Sequence, residues 1–313
     1  MALTIGVDVG GTKIASGVVD EEGRILESGV RNSPATSPEK IAVTIAEAVQ
    51  ELAARHDVEA VGIGAAGFID ETRSVVRFAP NLAWREEPLR EKVADLVGLP
   101  VVVENDANAM AWGEYRFGAG RGESHVVCVT VGTGIGAGIV LDGALYRGRW
   151  GMGAEFGHMQ AVPGGRPCGC GNRGCWERYA SGSALLMDAV EYAEADPSTA
   201  PHLLRLGGSI EGVRGEHVTE AARLGDRASL AAFASLGGWI AQGLADMAAV
   251  LDPGRFIIGG GVSRAADLFV DTVRAEFAAR LTGRGHRPLA DIRVAELGAA
   301  AGVAGAADLA RIR

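Results

Sequence analysis

No uninterrupted apolar run among the 313 residues reaches the length that a membrane-spanning helix requires. The first residues carry no charged stretch followed by an apolar core and a cleavage site. Instead Met1-Ala-Leu-Thr-Ile-Gly-Val-Asp8 reads directly as a strand. A cytoplasmic location without membrane attachment is therefore expected. Basic residues are in deficit, 30 Lys and Arg against 39 Asp and Glu for a net charge of −9. That speaks against nucleic acid as the main partner, because a phosphate backbone demands a basic surface. Also missing are a short-period repeat, a low-complexity tail, a Pro/Ser-rich linker and the Gly-x4-Gly-Lys-[Ser/Thr] spacing of a Walker A loop. What is present is a globular composition, 48% hydrophobic and 22% charged, long enough for two ordinary domains or one large one.

Cysteine is scarce as well, yet three of the four cysteines fall in the segment Cys168-Gly-Cys170-Gly-Asn-Arg-Gly-Cys175. His158 precedes them by ten residues. Three thiolates and one imidazole make a closed tetrahedral Zn²⁺ set, and the intervening glycines let the chain fold tightly around an ion. The competing reading, a disulfide with a spare thiol, needs an oxidising compartment that the missing secretory signal argues against. Structural zinc on His158, Cys168, Cys170 and Cys175 is expected. The bend around it would also fix His158 and Glu177 in space, as candidates to face a ligand. Cys128, inside the apolar run Val126–Val131, reads as a small buried hydrophobe.

Short β-like runs at Leu3–Val9, Lys13–Val19 and Arg24–Val30 are separated by glycine-rich or acidic turns. Ser37-Pro38-Glu39 opens a helix to about Arg55, with Ser37 as N-cap and Pro38 in the first turn. Val58–Ala66 and Pro100–Glu104 look like buried parallel strands. A second such unit begins near His125, with a hairpin of Val126–Val131 and Gly136–Leu141. Mostly helical sequence runs from Tyr179 to Leu251, then a buried strand at Arg255–Ile258, an edge strand at Ile292–Ala295 and an Ala-rich helix over Gly298–Ile312. Met and Trp positions are read as packing. His56, His125, His202, His217 and His286 are read as surface or capping residues.

Chemistry concentrates where strands end. Asp8-Val-Gly10-Gly11-Thr12-Lys13 joins a carboxylate, two glycines, a hydroxyl and an ammonium. Glycines expose backbone N–H groups to phosphate oxygens, and Asp8 can hold Mg²⁺ through water. An ordinary β-turn is the plain alternative; a second turn of like design, Gly132-Thr133-Gly134, favours phosphate. In Glu104-Asn105-Asp106 a buried strand gives way to a helix, the place where open α/β sheets put their ligands. Asn105 or Asp106 could simply cap that helix, but three polar groups exceed what a cap needs. Gly259-Gly260-Gly261 is a third glycine-rich strand end, fit for a flat base lying against backbone.

Together, Asp8-x-Gly-Gly-Thr-Lys, Glu104-Asn-Asp-Ala-Asn, Gly132-Thr-Gly-x-Gly, Glu155-Phe-Gly-His158 and the cysteine segment through Trp176-Glu177 resemble the ROK family of sugar kinases. Within it the likeness is to the bacterial ATP-dependent glucokinases, and it runs from about residue 3 to 310 in family order. One departure is Gly153-Ala154-Glu155, where the family more often has Ala-Gly-Glu; both residues being small, little is expected to follow.

The resemblance implies a two-domain α/β fold of the actin/hexokinase type, duplicated ribonuclease-H-like domains with sugar and ATP meeting in an interdomain cleft. The expected boundaries are a small domain over 1–118, with the helix of about 299–313 packing back on it, and a larger one over 119–298. Carried over residue by residue, the resemblance makes Asp106 the catalytic base. It gives the sugar Gly67, Asn81, Asn105, Asp106, Glu155, His158 and Glu177. It gives the phosphates Asp8, Gly10, Gly11, Thr12, Lys13, Thr133 and Gly134, and adenosine Gly259, Gly260 and Gly261. His158, Cys168, Cys170 and Cys175 match the zinc ligands. The implied activity is transfer of the γ-phosphate of ATP, with Mg²⁺, to the 6-hydroxyl of glucose, by a homodimer or homotetramer. Another hexose or an N-acetylhexosamine as acceptor, polyphosphate as donor, and a sugar-responsive regulator remain as alternatives. ROK repressors carry an amino-terminal winged helix-turn-helix, whereas here the phosphate-loop motif starts at residue 8. A catalytically dead scaffold fits poorly with Asp8, Thr12, Asp106 and Thr133 all present.

Overall fold

The computed structural model describes residues 2–312. Strands β1 (Leu3–Val9), β2 (Lys13–Val19) and β3 (Ile25–Asn32) form an antiparallel meander. Helix α1 (Pro38–Ala53) then carries the chain to β4 (Val58–Ala65), parallel to β1. Ser37 caps α1 by accepting from the Lys40 N–H, and Ile41, Ile45, Val49 and Leu52 recur at helical spacing to bury one face. A small three-stranded sheet follows from β5 (Phe68–Ile69), β6 (Val76–Phe78) and β7 (Arg85–Glu87). Helix α2 (Leu89–Val97) leads to β8 (Val101–Asn105), which lies parallel to β4. The first large sheet therefore has the order β3-β2-β1-β4-β8. Its parallel strands are buried almost throughout, which is why they read as unbroken apolar runs instead of alternating ones.

After α3 (Asp106–Phe117) the plan repeats. Strands β9 (Val126–Val131), β10 (Ile135–Leu141) and β11 (Ala144–Tyr146) are followed by the cysteine segment. Helices α4 (Glu177–Ala180), α5 (Gly182–Ala195), α6 (Pro201–Gly207), α7 (Gly215–Arg223) and α8 (Arg227–Leu251) come next. The chain closes with β12 (Arg255–Gly259), α9 (Val270–Arg280), β13 (Asp291–Val294) and α10 (Ala301–Arg311). The second large sheet has the order β11-β10-β9-β12-β13, the same succession of meander and crossover as the first. Helix α8 is long and apolar enough by composition alone to cross a membrane, but Phe233, Leu236, Ile240, Leu244 and Met247 bury its apolar face in protein.

By tertiary packing the chain divides into two compact units. Unit 1 comprises Met1–Cys128, Ala137–Ala154 and Ala295–Arg313, and unit 2 comprises Val129–Gly136 and Glu155–Val294. This differs from a boundary at 118, because β10 belongs in part to unit 1. A Cβ on Gly138 would stand 2.5 Å from the Ala111 Cβ of α3, so the strand lies flat on that helix.

In unit 1, α10 packs on α3, β1 and β4. Its seat is cut from glycine. A Cβ on Gly6 would fall 1.9 Å from the Val303 carbonyl oxygen, and one on Gly62 1.7 Å from that of Ala306. Only a residue without a Cβ admits the helix backbone that close. Asp308 locks the packing from within: its carboxylate accepts from Trp112 Nε1 at 2.8 Å and Arg116 Nε at 3.0 Å. Glu114, fully buried on α3, accepts from the N–H groups of Glu296 (3.0 Å) and Leu297 (2.8 Å) just ahead of α10.

Candidate functional site

The residues singled out from the sequence fall into two groups, one per unit. In unit 1, Asp8 lies on the last turn of β1, and Gly10 to Thr12 make the tight link to β2, closed by a Gly10 N–H to Lys13 carbonyl bond of 3.0 Å. The Thr12 and Lys13 side chains are exposed. Beyond β4, Gly67 offers its carbonyl to Asn105 Nδ2 at 3.1 Å. Asn81, between β6 and β7, sits against the glycine turn, its carbonyl oxygen 3.4 Å from where a Gly11 Cβ would be.

Glu104, Asn105 and Asp106 take separate roles. Glu104 is buried and structural, paired with Arg147 Nε at 2.7 Å and Arg73 Nε at 3.1 Å, and accepting from Asn108 Nδ2 at 3.0 Å. Asn105 is the N-cap of α3, its Oδ1 accepting from the Asn108 N–H at 3.0 Å. The capping reading therefore holds for Asn105, whose amide hydrogens go to Gly67 and to the Asp106 carboxyl and whose oxygen keeps one lone pair for another partner. Asp106 is the first residue of α3. Burial raises its carboxyl above the ordinary 3.8, while the N–H of Ala107, its own N–H and the Asn105 side chain pull the other way. Asp8 is pushed up to about 7, first by burial and then by the Asp106 charge. Part of that burial comes from α10, where a Cβ on Gly302 would stand 2.9 Å from Asp8 Oδ2. Unit 1 thus presents two carboxyls of raised proton affinity beside a glycine turn. Interacting acids of this kind are a recurrent mark of sites that handle protons or cations.

In unit 2, the ligand atoms of His158, Cys168, Cys170 and Cys175 all lie within 4.8 Å of one another. The Cys170 and Cys175 sulfurs are 3.6 Å apart, and His158 Nδ1 is 3.7 Å from the Cys168 sulfur. These spans match the edges of a tetrahedron with arms of about 2.0–2.3 Å, as four-coordinate zinc has. The donor set and its spacing therefore fit a structural Zn²⁺, with no position left for water or substrate. Nδ1 faces the sulfurs, so Nε2 is the nitrogen turned outward, 4.0 Å from a Glu155 carboxylate oxygen. Arg166 clamps the segment from behind through Asp188 (2.8 Å) and the Arg178 carbonyl (3.0 Å), and the Tyr179 hydroxyl accepts from the Arg166 N–H. Trp176 is buried beside it and donates to the Trp239 carbonyl at 2.7 Å.

Glu177 opens α4 and reaches the second glycine turn, its Oε2 2.5 Å from where a Gly134 Cβ would be. Of the three glycines that end and follow β12, Gly261 lines a cavity of about 590 Å³ together with Leu185, Glu216, Thr219, Arg223 and Val262. Gly260, at φ +84°, instead presses against β9, where a Cβ would meet the Val131 oxygen at 2.5 Å. The wall residues on α7 escaped sequence reasoning because nothing in their spacing separates them from an ordinary amphipathic surface. Two further expectations change. Trp150 is not packing: it is 61% exposed in a glycine-rich loop, with the Arg149 guanidinium 4.5 Å from its ring. Ala154 stands at φ +71°, the left-handed region where a Cβ costs about 1 kcal/mol. The Gly-Ala order ahead of Glu155 therefore carries strain that the family's more usual glycine would not.

Two sheets of one strand order, each opening on a glycine turn, define the actin/hexokinase-like class of α/β fold. The ROK family profile matches residues 4–313, and the chain belongs to the ROK family. It is 53% identical over 312 residues to a glucokinase of Streptomyces coelicolor, covering 99% of this chain and 98% of that protein. Among solved structures it resembles a ROK family glucokinase from Streptomyces griseus in complex with glucose and AMPPNP, with a TM-score of 0.91, 55% identity and 100% of both chains covered. A ROK hexokinase from Thermus thermophilus is similar at a TM-score of 0.83 and 36% identity, over 99% of this chain and 98% of that one.

Proposed function

We propose that this protein is an ATP-dependent glucokinase that transfers the γ-phosphoryl group of ATP to the 6-hydroxyl of D-glucose. The observation that carries the reading is Asp106, a carboxyl of raised proton affinity at the start of α3, in a chain alike over its whole length to glucokinases. Phosphoryl transfer through a loose transition state asks for positioning and charge neutralisation more than for a strong base. Asp106 orients the attacking hydroxyl and accepts its proton late, and its raised affinity makes that acceptance easier. Asn105, whose amide is held by Gly67, Asn108 and Asp106, offers its remaining lone pair to the sugar. Gly67, Asn81, Glu155, His158 and Glu177 are assigned to the other hydroxyls.

Gly10, Gly11, Thr12, Lys13, Thr133 and Gly134 are assigned to the phosphates, and Gly259 to Gly261 to adenosine. Mg²⁺, when bound with ATP, supplies charge neutralisation at the phosphates. Asp8 is the residue assigned to hold it through water. A cavity walled by Leu185 and Val262 as well as Glu216 and Arg223 suits a nucleoside better than a polyanion, which supports ATP over polyphosphate as donor. A homodimeric or homotetrameric, cytoplasmic enzyme completes the proposal.

The test is a coupled assay with ATP or polyphosphate as donor over a panel of hexoses and N-acetylhexosamines. Glucose with ATP is expected to give the highest kcat/KM. Preference for an N-acetylhexosamine, or turnover with polyphosphate alone, would overturn the assignment.

A further inference from the structure

The turn Gly132-Thr133-Gly134 is held from one side. The Gly182 N–H donates to the Gly132 carbonyl at 2.8 Å. One residue on, the Ser183 hydroxyl donates to the Thr133 carbonyl at 2.7 Å. Both donors sit in the first turn of α5, whose N-cap Ser181 accepts from the Ala184 N–H. The approach is close enough that a Cβ on Gly182 would stand 2.8 Å from the Gly132 oxygen and 3.0 Å from Val262 Cγ2. Two consecutive carbonyls of the turn are thus drawn onto the start of α5.

That has a consequence for the opposite side. A trans peptide is planar, and its C=O and N–H point in opposite directions. The Gly132 carbonyl shares its peptide plane with the Thr133 N–H, and the Thr133 carbonyl shares one with the Gly134 N–H. With both oxygens turned onto α5, both N–H groups point away from it, side by side. Successive N–H groups aimed the same way form an anion-binding concavity. The Gly132 peptide is held by backbone, which no side-chain change can remove. The Thr133 peptide depends on one hydroxyl. Without it that peptide is free to flip, and its carbonyl oxygen would then face the anion and repel it.

We propose that Ser183 is a positioning residue for phosphoryl transfer, holding the Thr133–Gly134 peptide with its N–H toward the phosphates of the donor nucleotide. The proposal rests on the kinase reading above, in which this turn receives phosphate. Ser183 touches no reacting atom and acts through the peptide it holds. It lies on the stretch that also carries Cys175 and Glu177, so the zinc segment and the phosphate turn share a short common support.

The experiment uses the zinc-loaded wild type, Ser183→Ala and Ser183→Thr. Each is titrated with AMPPNP and, separately, with adenosine, and each is assayed for glucose phosphorylation with ATP. Ser183→Ala is expected to weaken AMPPNP binding by about tenfold, the worth of one hydrogen bond near a charge, while adenosine affinity and the KM for glucose stay within about twofold. The loss in kcat/KM for ATP should follow the loss of AMPPNP affinity, and Ser183→Thr, which keeps the hydroxyl, should restore both. Unchanged AMPPNP binding in Ser183→Ala would overturn the proposal. So would an equal loss for AMPPNP and adenosine, the mark of a helix end that has merely unravelled. If the wild type binds AMPPNP yet phosphorylates no glucose, the kinase reading falls, and the AMPPNP and adenosine contrast still decides the role of Ser183.

Discussion

The turn after β1 and the turn after β9 share a design, strand, small residues, strand, yet draw their polarity from different sources. The first stands beside charge: Asp8 precedes it, Lys13 follows it, and burial together with the nearby Asp106 charge pushes Asp8 up to about 7. The second has no acid or base within its three residues, though Glu177 stands against Gly134, and its carbonyls are held by Gly182 and Ser183 from behind. Both turns are assigned to phosphate, and the first adds Asp8 and Asp106, which suit a cation and a moving proton. A duplicated framework has thus been divided by chemistry while its strand order stayed the same.

The comparison breaks most sharply at Asp106. Asp106→Asn keeps size and hydrogen bonding but cannot accept a proton, so kcat should fall by about 10²–10⁴ with glucose affinity little changed. Steady-state kinetics with a glucose titration check this; more than a tenth of wild-type kcat remaining would assign the base elsewhere. On the other side, Cys170→Ala removes one zinc ligand and should release the segment that carries His158 and Glu177. We expect about one zinc per chain in the wild type by mass spectrometry, lost in the variant, with glucose affinity down at least about tenfold. AMPPNP affinity should fall less, and an equal fall in both would mean that the zinc segment supports the whole unit.

A smaller effect sharpens the charge side. The folded protein keeps a proton on Asp8 up to about pH 7, whereas an unfolded chain releases it near the ordinary 3.8. The folded state therefore binds more protons between those values, and its stability falls as pH rises from about 4 to 7. Asp8→Asn removes that penalty and should raise Tm at pH 8 by roughly 2–4 °C, a difference that closes near pH 4, while activity drops. A lower Tm at pH 8 would show that the carboxylate is stabilised by something other than burial and Asp106 allow. The smallest expected change is at Ala154, which joins the units' segments just ahead of Glu155. Ala154→Gly should shift stability by less than about 1 kcal/mol, since relief of strain offsets the added freedom of the unfolded chain. Ala154→Val should destabilise by about 1–2 kcal/mol, measured by denaturant unfolding.

Local features were legible in the sequence and distant ones were not. The Ser37 N-cap, the strands flanking each glycine turn and the cysteine spacing each depend on neighbours a few residues away, so pattern alone exposes them. Asn105 was ambiguous because cap and ligand use the same atoms. Glu104 gave no sign of its ion pairs, since Arg73 and Arg147 come from remote loops. Ser183 looked like any serine in the first turn of a helix, and its partner lies 50 residues back along the chain. Nothing in the local sequence marks Gly6 and Gly62 as the seat of α10, whose backbone lies against them from the far end of the chain.

That last packing sets an order of events during synthesis. Unit 1 begins with the first strand but receives its covering helix only after all of residues 155–294 have been made. Until α10 leaves the ribosome, β1 and β4 present a bare glycine face, and the Trp112 indole lacks the Asp308 acceptor. Domains commonly fold as they emerge, amino-terminal first. Here part of the amino-terminal unit is the last of the chain to be made, so that unit cannot complete its packing until synthesis ends.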